Sequence, residues 1–139
     1  MKKKIENIFL KKKILIYGLG KSGISSFRFL RNKADIYLFD DLKNIHPKQI
    51  SKLKLSKIKF DIIIISPGIN IFNCKLSKFL KLNKKKIYTD LDVFFTFYKN
   101  KCITITGTNG KSTTAKILYE VLKDQKKDVR LIGNIGNPP

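Results

Sequence analysis

"KILIYGLGKSG", Lys13–Gly23, decides the fold. An apolar run, Lys13 to Tyr17, feeds directly into three glycines, Gly18, Gly20 and Gly23. Helical spacing follows at once, with Ile24, Phe27 and Leu30 three apart and Ser22 opening the pattern. G-x-G-x-x-G between a strand and a helix has a physical logic: Gly18 permits the tight turn, Gly20 lets a ligand approach the backbone, and Gly23 lets the helix pack close on the strand. The helix N-terminus then offers unpaired N–H groups to an anion. Asp40 ends the next strand 17 residues after Gly23, close to where a ribose- or base-reading carboxylate lies. The competing reading is a purely structural glycine turn.

Outward from this turn, strands and helices alternate. "DIYLFD" (Asp35–Asp40) reads as a second strand, and a short helix is expected after Pro47 in a lysine-rich stretch. "DIIIIS" (Asp61–Ser66) is an unbroken β-branched run, as in a parallel strand buried on both faces. "SPGI" (Ser66–Ile69) follows it at the carboxyl end, where doubly wound sheets hold ligands, although Pro-Gly is also an ordinary breaker. Cys74–Leu82 has helical spacing, "KIYT" is a brief strand, and Asp90–Tyr98 is a helix capped by Asp90, with Asp92 as a first-turn acid. His46, in a polar loop, is expected in solvent. The alternation predicts an α/β fold with a Rossmann-like parallel sheet over residues 1–98.

A second glycine-rich turn lies about 90 residues after the first. "ITGTNGKST" (Ile105–Thr113) resembles a phosphate loop, but G-x-x-x-x-G-K-[ST] needs glycine at 105, where isoleucine stands. In this shorter loop Gly107 and Gly110 let the backbone N–H groups face phosphate oxygens, with Thr108 and Asn109 between them. Lys111 is placed for the β- and γ-phosphates, and Ser112 and Thr113 for Mg²⁺. "KCITIT" (Lys101–Thr106) reads as the strand before the loop. A helix from Ser112 to about Lys123 follows, with Ile117, Leu118, Val121 and Leu122 as its buried stripe, and "DVRLI" starts another strand. Residues 99–139 thus read as the beginning of a P-loop ATPase-type α/β domain. In "GNIG" (Gly133–Gly136), Asn134 reads a substrate or holds a turn.

Composition narrows the alternatives. Hydrophobic residues make up 42% of 139, enough for a core. The longest strongly apolar run is Ile62–Ile65, far short of the roughly 20 residues of a membrane span. Lys11–Lys13 interrupt any secretory signal, so a cytoplasmic protein with two reduced, buried thiols, Cys74 and Cys102, is expected. The net charge of +20 suggests nucleic acid, but of 30 basic residues three are arginine (Arg28, Arg31, Arg130), and base-edge readout leans on arginine. The wealth of Lys, Ile, Asn, Phe and Tyr fits an A/T-rich codon bias, so no specific nucleic-acid partner is expected.

"GLGKSG", "SPGI", "GTNGKST" and "GNIG", in this order, resemble the N-terminal part of the Mur ligases, from Lys13 onward. The likeness is greatest to the members that add D-glutamate to UDP-N-acetylmuramoyl-L-alanine; the L-alanine-adding members and a nicotinamide- or flavin-dependent oxidoreductase are the alternatives. The resemblance implies an ATP-dependent ligase of peptidoglycan synthesis that works through an acyl phosphate and needs Mg²⁺. It implies sugar-nucleotide binding by Gly20, Lys21, Ser22, Asp40, Ser66, Pro67, Gly68 and Asn134. It implies ATP binding by Gly107–Thr113, with Lys111 catalytic and Ser112 and Thr113 near the metal. A monomer is expected, and no membrane partner. Family members run about three times longer, so the chain reads as an N-terminal fragment, inactive by itself.

Overall fold

The computed structural model describes residues 7–42 and 46–133. The chain divides into two compact units, Met1–Tyr98 and Lys99–Pro139. The first contains β1 (Lys13–Tyr17), α1 (Lys21–Leu30), β2 (Asp35–Phe39), α2 (Lys52–Ser56), β3 (Ile62–Ile65), α3 (Ser77–Leu82), β4 (Ile87–Tyr88) and α4 (Asp90–Phe97). Its four strands form one parallel sheet in the order β2-β1-β3-β4. β1 is central, with Ile16 opposite Leu38 on one side and Ile64 on the other.

Strand periodicity divides the core. Ile14, Ile16, Ile62 and Ile64 point to one face, where Phe27 and Leu30 of α1 and Val93 of α4 cover them. Leu15, Tyr17, Ile63 and Ile65 point to the other, against Leu55 of α2 and Leu80 of α3. All four isoleucines of β3 are buried, because alternate side chains meet helices on both faces. This is a Rossmann-like three-layer arrangement.

The connection from β1 to α1 depends on two glycines. Gly18 has φ +92°, a region that favours glycine. At Gly23 a Cβ would stand 1.9 Å from the Gly18 carbonyl oxygen and 2.9 Å from Ser66 Oγ. Gly20 differs: its φ is −70° and a Cβ there would meet nothing within 4 Å.

Several expectations need correcting. The two thiols are not buried: Cys74 is half-buried and Cys102 is exposed. α4 is capped by Thr89, whose hydroxyl accepts from the Asp92 N–H while the Asp92 carboxylate accepts from the Thr89 N–H; Asp90 is already helical. Threonine one residue upstream of Asp90 completes a capping box with the acid three positions on, which Asp90 could not. His46 lies in a loop, as expected, but is only partly in solvent. It is half-buried, packs edge-on against Phe27 with ring centroids 4.8 Å apart, and its Nδ1 accepts from the Lys48 N–H.

In the second unit α5 spans Lys111–Asp124. The strands expected at Lys101–Thr106 and from Asp128 do not form among the described residues. A strand exists by pairing, and neither segment has a ladder partner there. The expected buried stripe of α5 is open for the same reason: Ile117 is 60% and Val121 47% exposed, and Leu118 and Leu122 are half-buried. Asn134 lies outside the described residues.

The glycine geometry makes a sharp prediction. Gly23→Ala forces α1 away from β1 and is expected to cost about 3 kcal/mol in urea unfolding, the upper part of the overpacking range. Gly20→Ala, with open space around it, is expected to cost under about 1 kcal/mol, the loss of a glycine cap.

Candidate functional site

Three loops leave the carboxyl ends of β1, β2 and β3, and side chains tie them to one another. Asp40 joins the first two: its Oδ2 accepts from the Leu19 N–H at 2.6 Å and its Oδ1 from the Leu42 N–H at 2.9 Å. Ser66 joins the first and third, its buried Oγ donating to the Gly18 carbonyl at 2.6 Å. Asp41 joins the second and third. Its Oδ2 accepts from the Lys75 N–H at 3.1 Å, its backbone carbonyl accepts from Lys75 Nζ, and its Oδ1 accepts from the Tyr17 hydroxyl at 2.7 Å.

The residues expected to bind a ligand therefore fall into two groups. Asp40 and Ser66 use their polar atoms to hold the loops. Gly20, Lys21, Pro67 and Gly68 are exposed at the same edge, and Ser22 is half-buried. Gly20 is the N-cap of α1, and Gly68, like Gly20, has open space at its Cβ position. Asp41, Tyr17 and Lys75 were not singled out in the sequence. The one available signal was the doublet Asp40-Asp41 in a chain with only 10 acidic residues.

Tyr17 is fully buried. Burial first, then hydrogen bonding to Cys74 and Asp41, pushes its phenol well above the ordinary tyrosine range.

The second unit carries the other loop. Gly107 has φ +150° and Gly110 φ +72°. α5 begins at Lys111 directly after left-handed Gly110. Lys111 Nζ donates to the Gly107 carbonyl and to the Thr108 carbonyl at 3.1 Å, so the ammonium lies on its own loop. Gly107–Thr113 are all exposed. Among the described residues no group of three or more His, Cys, Asp or Glu could hold a metal ion, and no helix is long and apolar enough to cross a membrane.

The first unit is thus a parallel-sheet α/β domain of the Rossmann-like class, with its glycine turn and tied loops at one edge of the sheet. The chain is homologous to the N-terminal region of the enzymes named UDP-N-acetylmuramoylalanine--D-glutamate ligase. It is 38% identical over 140 residues to that of Rickettsia conorii, covering 94% of this chain and 28% of the relative. The Lachnoclostridium phytofermentans protein is 35% identical over 147 residues (94% and 32%), and the Aquifex aeolicus protein 35% over 127 residues (91% and 29%). The chain spans about a third of the length of these relatives. No family model matches it.

The Tyr17 environment predicts alkaline behaviour. The unfolded phenol ionises near its ordinary value of 10.0, whereas the folded one holds its proton to higher pH. The contribution to stability is complete below the unfolded value and is lost as pH rises through and above it. Urea midpoints followed from roughly pH 9 to 11 are expected to fall more steeply in the native chain than in Tyr17→Phe. All other side chains are common to both proteins, so the difference isolates Tyr17; parallel curves would contradict this.

Proposed function

We propose that residues 1–98 form a UDP-binding domain and residues 99–139 the beginning of an ATP-binding central domain of a cytoplasmic ligase. The reaction is the ATP-dependent joining of D-glutamate to UDP-N-acetylmuramoyl-L-alanine. ATP transfers its γ-phosphoryl group to the substrate carboxylate and leaves as ADP; the amine of D-glutamate attacks the acyl phosphate, the amide forms, and phosphate leaves. The names of the relatives favour D-glutamate over L-alanine as the added amino acid. The phosphate-type loop at Gly107–Thr113 speaks against an oxidoreductase.

One observation carries the sugar-nucleotide site. Of the three glycines in the turn, Gly18 and Gly23 face protein atoms, whereas Gly20 faces open space at the N-terminus of α1. A diphosphate fits there, met by unpaired N–H groups and the positive helix end, with Lys21 and Ser22 beside it. Pro67 and Gly68 line the neighbouring loop, and Asp40 and Ser66 hold the shape.

The second loop fits ATP phosphates on similar grounds. Two glycines in unusual conformations precede a 14-residue helix, and Lys111 is held over the loop. Lys111 is the catalytic cation of this reading, neutralising charge on the transferred phosphoryl group. Ser112 and Thr113 would offer hydroxyls to Mg²⁺, which would neutralise charge on the nucleotide phosphates.

Calorimetry with UDP-N-acetylmuramoyl-L-alanine tests the first site. The native chain is expected to bind, and Gly20→Val to bind at least tenfold more weakly with its fold intact. Equal affinities would remove the assignment. The 139-residue polypeptide assayed alone is expected to show no substrate-dependent ADP release, because phosphoryl transfer depends on positioning and, among the described residues, α5 has no packed sheet to hold Lys111. ADP release that requires both sugar nucleotide and D-glutamate, and that disappears in Lys111→Ala, would refute this.

A further inference from the structure

We propose that Asp41 is a positioning residue of the sugar-nucleotide site, locking the loop after β2 to the loop after β3 in the arrangement the nucleotide requires. The inference rests on the reading of the first unit as UDP-binding and concerns residues outside the four motifs.

Asp41 makes three hydrogen bonds to two residues on two other elements. Tyr17 comes from the end of β1, immediately before the glycine turn, and Lys75 from the segment between β3 and α3. The sequence separations are 24 and 34 residues, so these are bonds between elements and not a local turn. The tyrosine bond is anchored from below, since Tyr17 is fully buried and its ring packs against Phe39 at 5.5 Å.

The clamp does little for the core beside it. Leu42 follows Asp41 and is 88% exposed; Phe72, three residues before Lys75, is 75% exposed. Leu76 is the fully buried residue of the second segment, and Ile69, Ile71 and Cys74 pack partly buried against the same core. The carboxylate bridges the two rims on their solvent side, beside Leu42 and Phe72, and so shapes a surface. That surface lies at the carboxyl edge of the sheet, beyond β2, where the nucleoside end of a ligand sits in this class of fold. The other two ties cannot replace it. Asp40 and Ser66 each reach the glycine turn, and neither joins the second loop directly to the third. Without Asp41 those rims fluctuate independently, and apparent affinity falls in proportion to the fraction still correctly placed.

The test uses the full ¹⁵N-labelled chain and UDP as the probe. Dissociation constants are read at the Gly20–Gly23 amides, so that anion binding at Gly107–Thr113 is resolved separately. Asp41→Asn keeps the size of the side chain but cannot accept from both donors. It is expected to weaken UDP about tenfold, the effect of the ordered fraction dropping to about one-tenth. Its thermal midpoint and the protection of the β1 and β3 amides should stay near native, while the Lys75 amide exchanges faster. Tyr17→Phe removes one hydroxyl without changing the ring and is expected to weaken UDP about threefold; it decides the matter if Asp41→Asn does not fold. If the native chain binds UDP and the variant that folds binds it equally well, the proposal is overturned and the UDP reading stands. Weakening that comes only with loss of β1 and β3 protection also overturns it, in favour of a purely structural role. If the native chain shows no UDP response at Gly20–Gly23, the UDP reading fails and the proposal falls with it.

Discussion

The carbonyl of Gly18 is the point on which the first unit turns. It accepts the buried hydroxyl of Ser66 from the end of β3, and it faces Gly23 of α1 across a gap too small for a methyl group. One backbone oxygen thereby fixes the spacing of a helix to its strand and of that strand's turn to the next loop. The order β2-β1-β3 puts this oxygen at the middle of the sheet edge. A larger side chain at 23 would displace α1, and with α1 would go the cover of Ile14, Ile16 and Ile64; one at 18 would press on Ser66 and Ile69 instead.

The parts of the fold that depend on local chemistry were legible in the sequence. The four isoleucines of β3 announced a doubly covered strand, and the glycine spacing announced the strand–turn–helix. What depends on partners was not. "KCITIT" has strand composition, but composition cannot provide the ladder that makes a strand. The same holds for Ile117 and Val121, whose spacing is helical and whose burial requires an opposing surface. Thr89 was passed over because Asp90 is also a good cap, and only the reciprocal bond with Asp92 separates them. Asp41 was invisible because Tyr17 and Lys75, which give it meaning, are distant in the chain. In the candidate site the exposed glycine was readable from its position, whereas the structural use of Asp40 and Ser66 was not, since a motif does not state which of its polar atoms point inward.

With 30 basic and 10 acidic residues, most lysines lack a carboxylate to pair with. The ion pair Arg130–Asp128 has both side chains more than four-fifths exposed and contributes little. Several lysines turn instead to backbone carbonyls: Lys33 to Phe29, Lys86 to Phe60, Lys75 to Asp41 and Lys111 to Gly107 and Thr108. In Lys33 and Lys86 the long apolar stem and cationic tip tie neighbouring segments of the chain.

For Lys111 this habit changes what an arriving anion encounters. The ammonium is already engaged by two oxygens of its own loop, which leaves one of its three N–H donors free of the loop. An anion that takes more than that one donor must exchange with those oxygens. The strength of the encounter is then a difference between two sets of hydrogen bonds, and a small monovalent ion that replaces only one of them gains almost nothing. A polydentate anion, able to replace both oxygens and to reach the helix end as well, has more to gain from such an exchange than a simple salt ion has.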